Sequence, residues 1–245
     1  MNEHREKLED IIRQGVAVDL FHADEAFSLD MFVGQQANEI NKATFGAFFG
    51  SLQIILTRNL ILHVARMYET PKEPNKHNRN PYPIRSIRSA IVILKEHGDD
   101  LVIEQRPGLI AALARRGAPP DEMGKLTDRE LTTYLASFFE RRYSETHPDG
   151  VANSRALDTL KTLRDKVVAH PEAIRLEDIP KPLYQEIEDL VEMARAFVAA
   201  VGFGYLSIAY EADDGHYFMA GDAKRSTTSL KRLLQAAGVL PRELA

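Results

Sequence analysis

The residues best suited to chemistry stand at the end of one apolar helical run, in LRDKVVAH from Leu163 to His170. Placed at about 100° per residue, Leu157, Leu160, Leu163, Val167 and Val168 cover an arc of roughly 140°, and Arg164 falls inside that arc, between Val167 and Val168. A guanidinium on an apolar face is strongly unfavourable unless a carboxylate, an anionic ligand or a cleft between two surfaces receives it. His170 lies at the edge of the same arc, beside Leu163, in the last turn before Pro171. On an ideal helix Arg164 and His170 point about 120° apart, so a bent last turn or a second copy of the chain is needed to aim both at one atom. Histidine moves protons near neutral pH, and an arginine fork holds and neutralises phosphate. Asp165 can orient either side chain, and Lys161, Lys166 and Arg155 add positive potential around them. The same residue types also suit a structural part: Arg164 paired with a core carboxylate, Asp165 and Lys166 solvated, and His170 capping a helix C-terminus in the field of its dipole.

Helices must position these groups. Apolar residues recur at helical spacing at Leu8, Ile11 and Ile12, then at Phe45, Phe48, Phe49, Leu52, Ile55 and Leu56, and then at Ile84, Ile87, Ile91 and Leu94. TDRE, Thr127 to Glu130, reads as a capping box that opens a helix through Leu131, Leu135, Phe138 and Phe139 to about Tyr143. The helix carrying the motif starts near Asn153 or Ser154 and ends at Pro171, because the residue before a proline is pushed out of helical geometry. Pro182 then opens a long helix through Ile187, Leu190, Val191, Ala194, Phe197 and Val198, extending toward Tyr210. Two stretches read as loops, Glu69 to Pro83 and His147 to Ser154. After Glu211 come an ADDG turn, a short HYFMAG segment and a last helix from about Asp222 to Ala237, closed by Gly238. The pattern divides the chain into a helical bundle over 1–210 and a tail over 211–245, which either packs on the bundle or forms a small appendage.

Composition excludes several classes. The chain of 245 residues is 44% hydrophobic and holds no cysteine, so disulfides, thiolate metal sites and a cysteine nucleophile are absent. The charge-dense start MNEHREKLEDIIRQG lacks the apolar core of a signal peptide, and the most apolar stretches, SLQIILTRNLILHV and AFVAAVGFGYLSIAY, are interrupted by polar residues or glycine. A cytoplasmic location is expected. The net charge of -5 argues against broad, non-specific duplex binding but leaves room for a local basic site. No HExxH, CxxC, phosphate-binding glycine loop or GxSxG occurs, so neither a metal nor a cofactor is expected. His63, in the apolar LILHVAR, reads as a satisfied core histidine. Arg141, Arg142 and Tyr143 read more readily as a solvated helix end than as an RNA contact and are only a weak candidate for one; the basic side chains Lys72, Lys76, His77, Arg79, Arg85 and Arg88 could bind nucleic acid, but a charged, proline-rich loop is usually just soluble.

RDKVVAH, with Arg164, Asp165 and His170 in place, resembles the signature of the higher-eukaryotes-and-prokaryotes nucleotide-binding (HEPN) superfamily. LRDKVVAHPE, preceded at a distance by LILHVARMYE from Leu60 to Glu69, is similar to the HEPN-like family associated with bacterial abortive infection. The resemblance implies an all-α, up-and-down bundle with a short C-terminal appendage, forming a homodimer in which both copies of the motif line one composite cleft. It implies a metal-independent endoribonuclease acting in abortive infection, antiviral defence or a toxin-antitoxin system, with RNA as substrate and an antitoxin or regulatory protein as a further partner. In that reading His170 is the acid/base, Arg164 the phosphate clamp, Asp165 the orienting group, and Lys161, Lys166 and Arg155 the RNA-binding cations. Some members of the superfamily are non-catalytic binding or dimerisation modules, and the motif alone does not separate the two.

Overall fold

Asn2 starts the first helix: its side chain accepts a hydrogen bond from the His4 amide, 2.9 Å away, and supplies a partner to one of the helix's free N–H groups. The protein is described here from a computed structural model, which covers residues 2–71, 84–148, 150–165, 184–212 and 214–241. Helix α1 (Glu3–Ile11) passes through a π-helical turn at Ile12–Val16 directly into α2 (Ala17–Gln35). There follow α3 (Ala37–Lys42), α4 (Gly46–Met67), α5 (Ile87–Glu96), α6 (Arg106–Ala114), α7 (Pro120–Met123), α8 (Asp128–Glu140), α9 (Val151–Leu163), α10 (Tyr184–Val201) and α11 (Phe218–Ala236). The fold is an all-α bundle. Among the described residues the sole β pairing is an isolated bridge between Glu211 and Tyr217.

The apolar pattern finds its partners in one main core. Leu8, Leu20, Leu60, Leu94, Leu109, Leu135, Leu160 and Phe197 are all buried in it, so α1, α2, α4, α5, α6, α8, α9 and α10 share a single interior. Helix α10 is central. Leu190, Ala194, Phe197, Val198 and Val201 are sealed from solvent, and Phe197 meets Phe139 of α8 edge-on with ring centres 5.1 Å apart. The Thr127 capping box forms as expected, with the Thr127 hydroxyl and the Glu130 carboxylate each serving the other's backbone.

Other boundaries differ for local reasons. Helix α10 ends at Val201, short of Tyr210, and the chain turns through Gly202–Leu206 in π geometry to Ser207, which is left-handed at φ 52°. A side chain at Gly202 would meet the Tyr210 ring at 2.6 Å, so the bend requires glycine there. The last helix starts at Phe218, four residues before the expected Asp222, and ends as expected with Gly238 at φ 74°. It packs on α2. Its Leu234, with Val239 and Leu240, joins Val33, Ile40 and Phe49 in a second apolar cluster, so this segment lies against the bundle.

On the first half of α4, Phe49 and Leu56 are buried, but Phe48, Ile54 and Ile55 are more than half exposed. By length and composition α4 is also the one helix among the described residues able to cross a bilayer, although it packs along α2 and carries Arg58, His63 and Arg66.

Candidate functional site

Helix α9 begins at Val151, two or three residues before the position expected from its polar residues, and buries Ala156, Leu157, Leu160 and Leu163. At Arg164 and Asp165 the backbone widens from α into π geometry. Single π turns recur at functional sites. Lys166 and His170 lie outside the described residues.

The Arg164 side chain is 17% exposed and meets two carboxylates. Its Nε donates to Asp165 Oδ1 at 2.8 Å, and its Nη1 stands 3.5 Å from Oε2 of Glu69, just beyond the C-terminus of α4. The sequence asked for a carboxylate, an anion or a cleft, and the site supplies both a carboxylate and a cleft. A cavity of about 320 Å³ opens beside the guanidinium, with Tyr68, Glu69, Arg88, Lys161, Arg164 and Asp165 among its walls. Lys161 is exposed at its edge.

Arg88 enters from the first turn of α5, whose N-cap is Ser86. Its Nη1 donates to Thr70 Oγ1 at 2.8 Å, and its guanidinium carbon lies 4.9 Å from the centre of the Tyr143 ring. Its Nε is buried with no hydrogen-bond partner, a condition that native structures rarely tolerate. In the sequence Arg88 groups with the basic loop, and Glu69 does not stand out as a site residue. The signal for Arg88 was the Ser86 cap, which makes it helical; Glu69 follows the helix LILHVARMY with no local mark of its long-range partner.

Burial raises the Tyr68 phenol far above its ordinary value, and burial also raises that of Tyr143, partly opposed by the charge of Arg88. Both remain protonated near neutral pH, and Tyr68 is further tied by a 2.5 Å hydrogen bond from its hydroxyl to the Leu190 carbonyl. Neither tyrosine is available as a general base.

Arg155 does not share the cleft. Nine residues before Arg164, it falls about half a turn away around the helix. It is 74% exposed and bonded to Glu186 at 2.8 Å, in a separate groove with Glu145 and Thr159. Arg142 serves the scaffold, stacking 3.8 Å over the Phe138 ring and donating to the Arg116 carbonyl. His63 behaves as the satisfied core histidine expected, with Nδ1 2.8 Å from Oδ1 of buried Asp19, which also lies 3.5 Å from Arg66.

The arrangement brings Arg164, Lys161 and Arg88 to one cleft and balances these cations against Glu69, Asp158 and Asp165. It can receive a phosphate that displaces the loosely held Glu69 carboxylate, since charge-assisted hydrogen bonds close to about 2.7–2.9 Å when well made. No curated protein and no solved structure matches the chain. The family model HEPN_AbiU2, described as AbiU2, matches residues 3–225, from the start of α1 into α11. The match takes in the bundle, the cleft and the RDKVVAH motif together, and the chain belongs to this HEPN-type abortive-infection family.

Proposed function

We propose that the protein is a metal-independent endoribonuclease that acts as an effector in bacterial defence or in a toxin-antitoxin pair. The observation that carries the reading is Arg164 itself: a largely buried guanidinium, oriented by Asp165 through Nε and set at the wall of a cleft that also presents Arg88 and Lys161. In the reaction His170 removes the proton from a ribose 2′-hydroxyl. The 2′-oxygen attacks the adjacent phosphorus, the bond to the 5′-oxygen breaks, and a proton returns to that leaving oxygen. Arg164 neutralises the charge that builds on the non-bridging oxygens, and the products carry 2′,3′-cyclic phosphate and 5′-hydroxyl ends. Lys161, Lys166 and Arg88 hold flanking phosphates. Arg155, half a turn away, contacts RNA only if the strand wraps around α9.

A homodimer with a composite cleft belongs to this reading, because two copies let Arg164 of one motif and His170 of the other face one phosphate. The exposed Phe48, Ile54 and Ile55 of α4 offer an apolar surface for self-association or for an antitoxin. A second reading is a non-catalytic interaction module, favoured by the double pairing of Arg164 with Glu69 and Asp165, which is also what a structural ion pair would make.

The test incubates the purified protein and its His170→Ala variant with total cellular RNA in excess chelator and identifies the fragment ends. Cleavage by the wild type alone, leaving 2′,3′-cyclic phosphates, is expected. Equal cleavage by both proteins overturns the role of His170, and cleavage by neither, with authentic dimer present, transfers the weight to the interaction module.

A further inference from the structure

At the far end of α5 from the cleft, His4, His97 and Asp100 converge. His4 lies in the first turn of α1, its backbone held by the Asn2 cap. His97 caps the C-terminus of α5, and Asp100 closes the 3-10 turn Gly98–Asp100 that follows. The two imidazoles stack with centres 3.6 Å apart and planes 12° from parallel. His4 Nε2 is 3.7 Å and His97 Nδ1 is 3.9 Å from the same oxygen, Asp100 Oδ2. These separations exceed a hydrogen bond, so three ligand-type atoms gather in one place without bonding one another. All three lie within 4.8 Å of one another.

We infer that His4, His97 and Asp100 form a binding site for a divalent transition ion of the zinc or cobalt type. Ligands about 2.0–2.1 Å from a tetrahedral Zn²⁺ sit roughly 3.4 Å apart, so the two carboxylate–imidazole distances need close by only a few tenths of an ångström. The stacked rings must unstack and turn about their side-chain torsions to aim both lone pairs at one ion, and side chains that are 24%, 38% and 54% exposed have room for it. Two imidazoles and one carboxylate favour zinc, cobalt or nickel over magnesium and calcium, which prefer all-oxygen shells. Exposure leaves the fourth position to water. Glu3, which interacts electrostatically with both histidines, adds negative charge.

Such an ion ties the start of α1 to the end of α5 and stabilises the folded chain by binding it in preference to the unfolded one. It takes no part in the cleft. Arg88 and His97 occupy the first turn and the C-cap of α5, about 13 Å apart along the axis. Metal binding and RNA cleavage are therefore separable.

The experiment uses the untagged full chain, stripped of metal. Co²⁺ titration is expected to give the visible absorption bands of tetrahedral cobalt at one equivalent, Zn²⁺ to abolish them by displacement, and Zn²⁺ but not Mg²⁺ to raise the melting temperature. His97→Ala and, independently, Asp100→Asn are expected to weaken Co²⁺ at least about tenfold while remaining folded by circular dichroism. Absence of the bands in the wild type overturns the site, as does undiminished binding in both variants, which would assign the ion to other histidines.

Discussion

Arg164 of the motif helix and Glu69 at the end of α4 face each other across 3.5 Å, so the one cation on the apolar face of α9 is met by a carboxylate from a distant part of the chain. The contact is too long for a tight ion pair. In the proposed reaction Glu69 would compete with an incoming phosphate without locking the guanidinium. Glu69→Gln removes the competing charge, and RNA affinity at low salt is expected to rise several-fold, with the melting temperature within a few degrees of wild type. Filter binding of a short RNA at two salt concentrations checks this; unchanged affinity would mean that phosphate does not meet Arg164.

Arg88→Ala tests whether the guanidinium with the unpaired Nε serves substrate. Losing a phosphate contact is expected to raise KM about tenfold, with a smaller change in kcat. Loss of the Thr70 bond and the Tyr143 stacking costs about 1 kcal/mol of stability, readable in urea denaturation. A fall in kcat alone would place Arg88 at the reacting phosphate.

Lys161 and Arg155, grouped together by sequence, are expected to separate. Lys161→Ala weakens RNA binding and lowers its salt dependence by about one phosphate contact. Arg155→Ala, which breaks an exposed pair with Glu186 in another groove, leaves cleavage within about twofold of wild type. Equal losses in the two variants would show that the RNA wraps around α9.

The sequence pattern carried much of this architecture. The Thr127 box, the amphipathic α5, the Gly238 stop and the position of Arg164 on a packed face were all legible because each depends on neighbours within two turns. Helix α2 was not, because its buried side includes Asp19, Asp24 and Asp30, whose partners His63, Arg195 and Tyr184 come from other helices. Phe48 and Ile55 share the apolar period of α4 yet face outward, since periodicity fixes a face without saying whether anything covers it. For the candidate site, local chemistry singles out Arg164 and Asp165 and includes Arg88 among the basic side chains, while Glu69 is found only in the tertiary fold. Helical geometry alone sets Arg155 on the side of α9 away from Arg164.

Tyr184 supplies the alkaline test of the packing between α2 and α10. Its hydroxyl donates to Asp30, which is 2% exposed, and burial, followed by that hydrogen bond and the Asp30 charge, pushes the phenol up to about 12. Because the folded value is raised, the neutral phenol contributes stability that is fully present below about pH 10 and lost as pH rises through about 12. Tyr184→Phe leaves the Asp30 carboxylate without this donor, and because Tyr184 is itself 50% exposed, so that water can partly replace the bond, it is expected to cost about 0.5–1 kcal/mol at neutral pH. Urea midpoints of the two proteins should converge between these pH values; a gap independent of pH would contradict the assignment.

The central claim is that Arg164 acts on a phosphate rather than merely holding the bundle together. The direct measurement is the single-turnover RNA cleavage rate of Arg164→Ala, taken beside its melting temperature and its mass in solution. The account predicts a rate at least about a hundredfold lower, with the melting temperature within a few degrees of wild type and the oligomeric state unchanged. A rate equal to wild type, or a loss of activity only in step with unfolding, would contradict it.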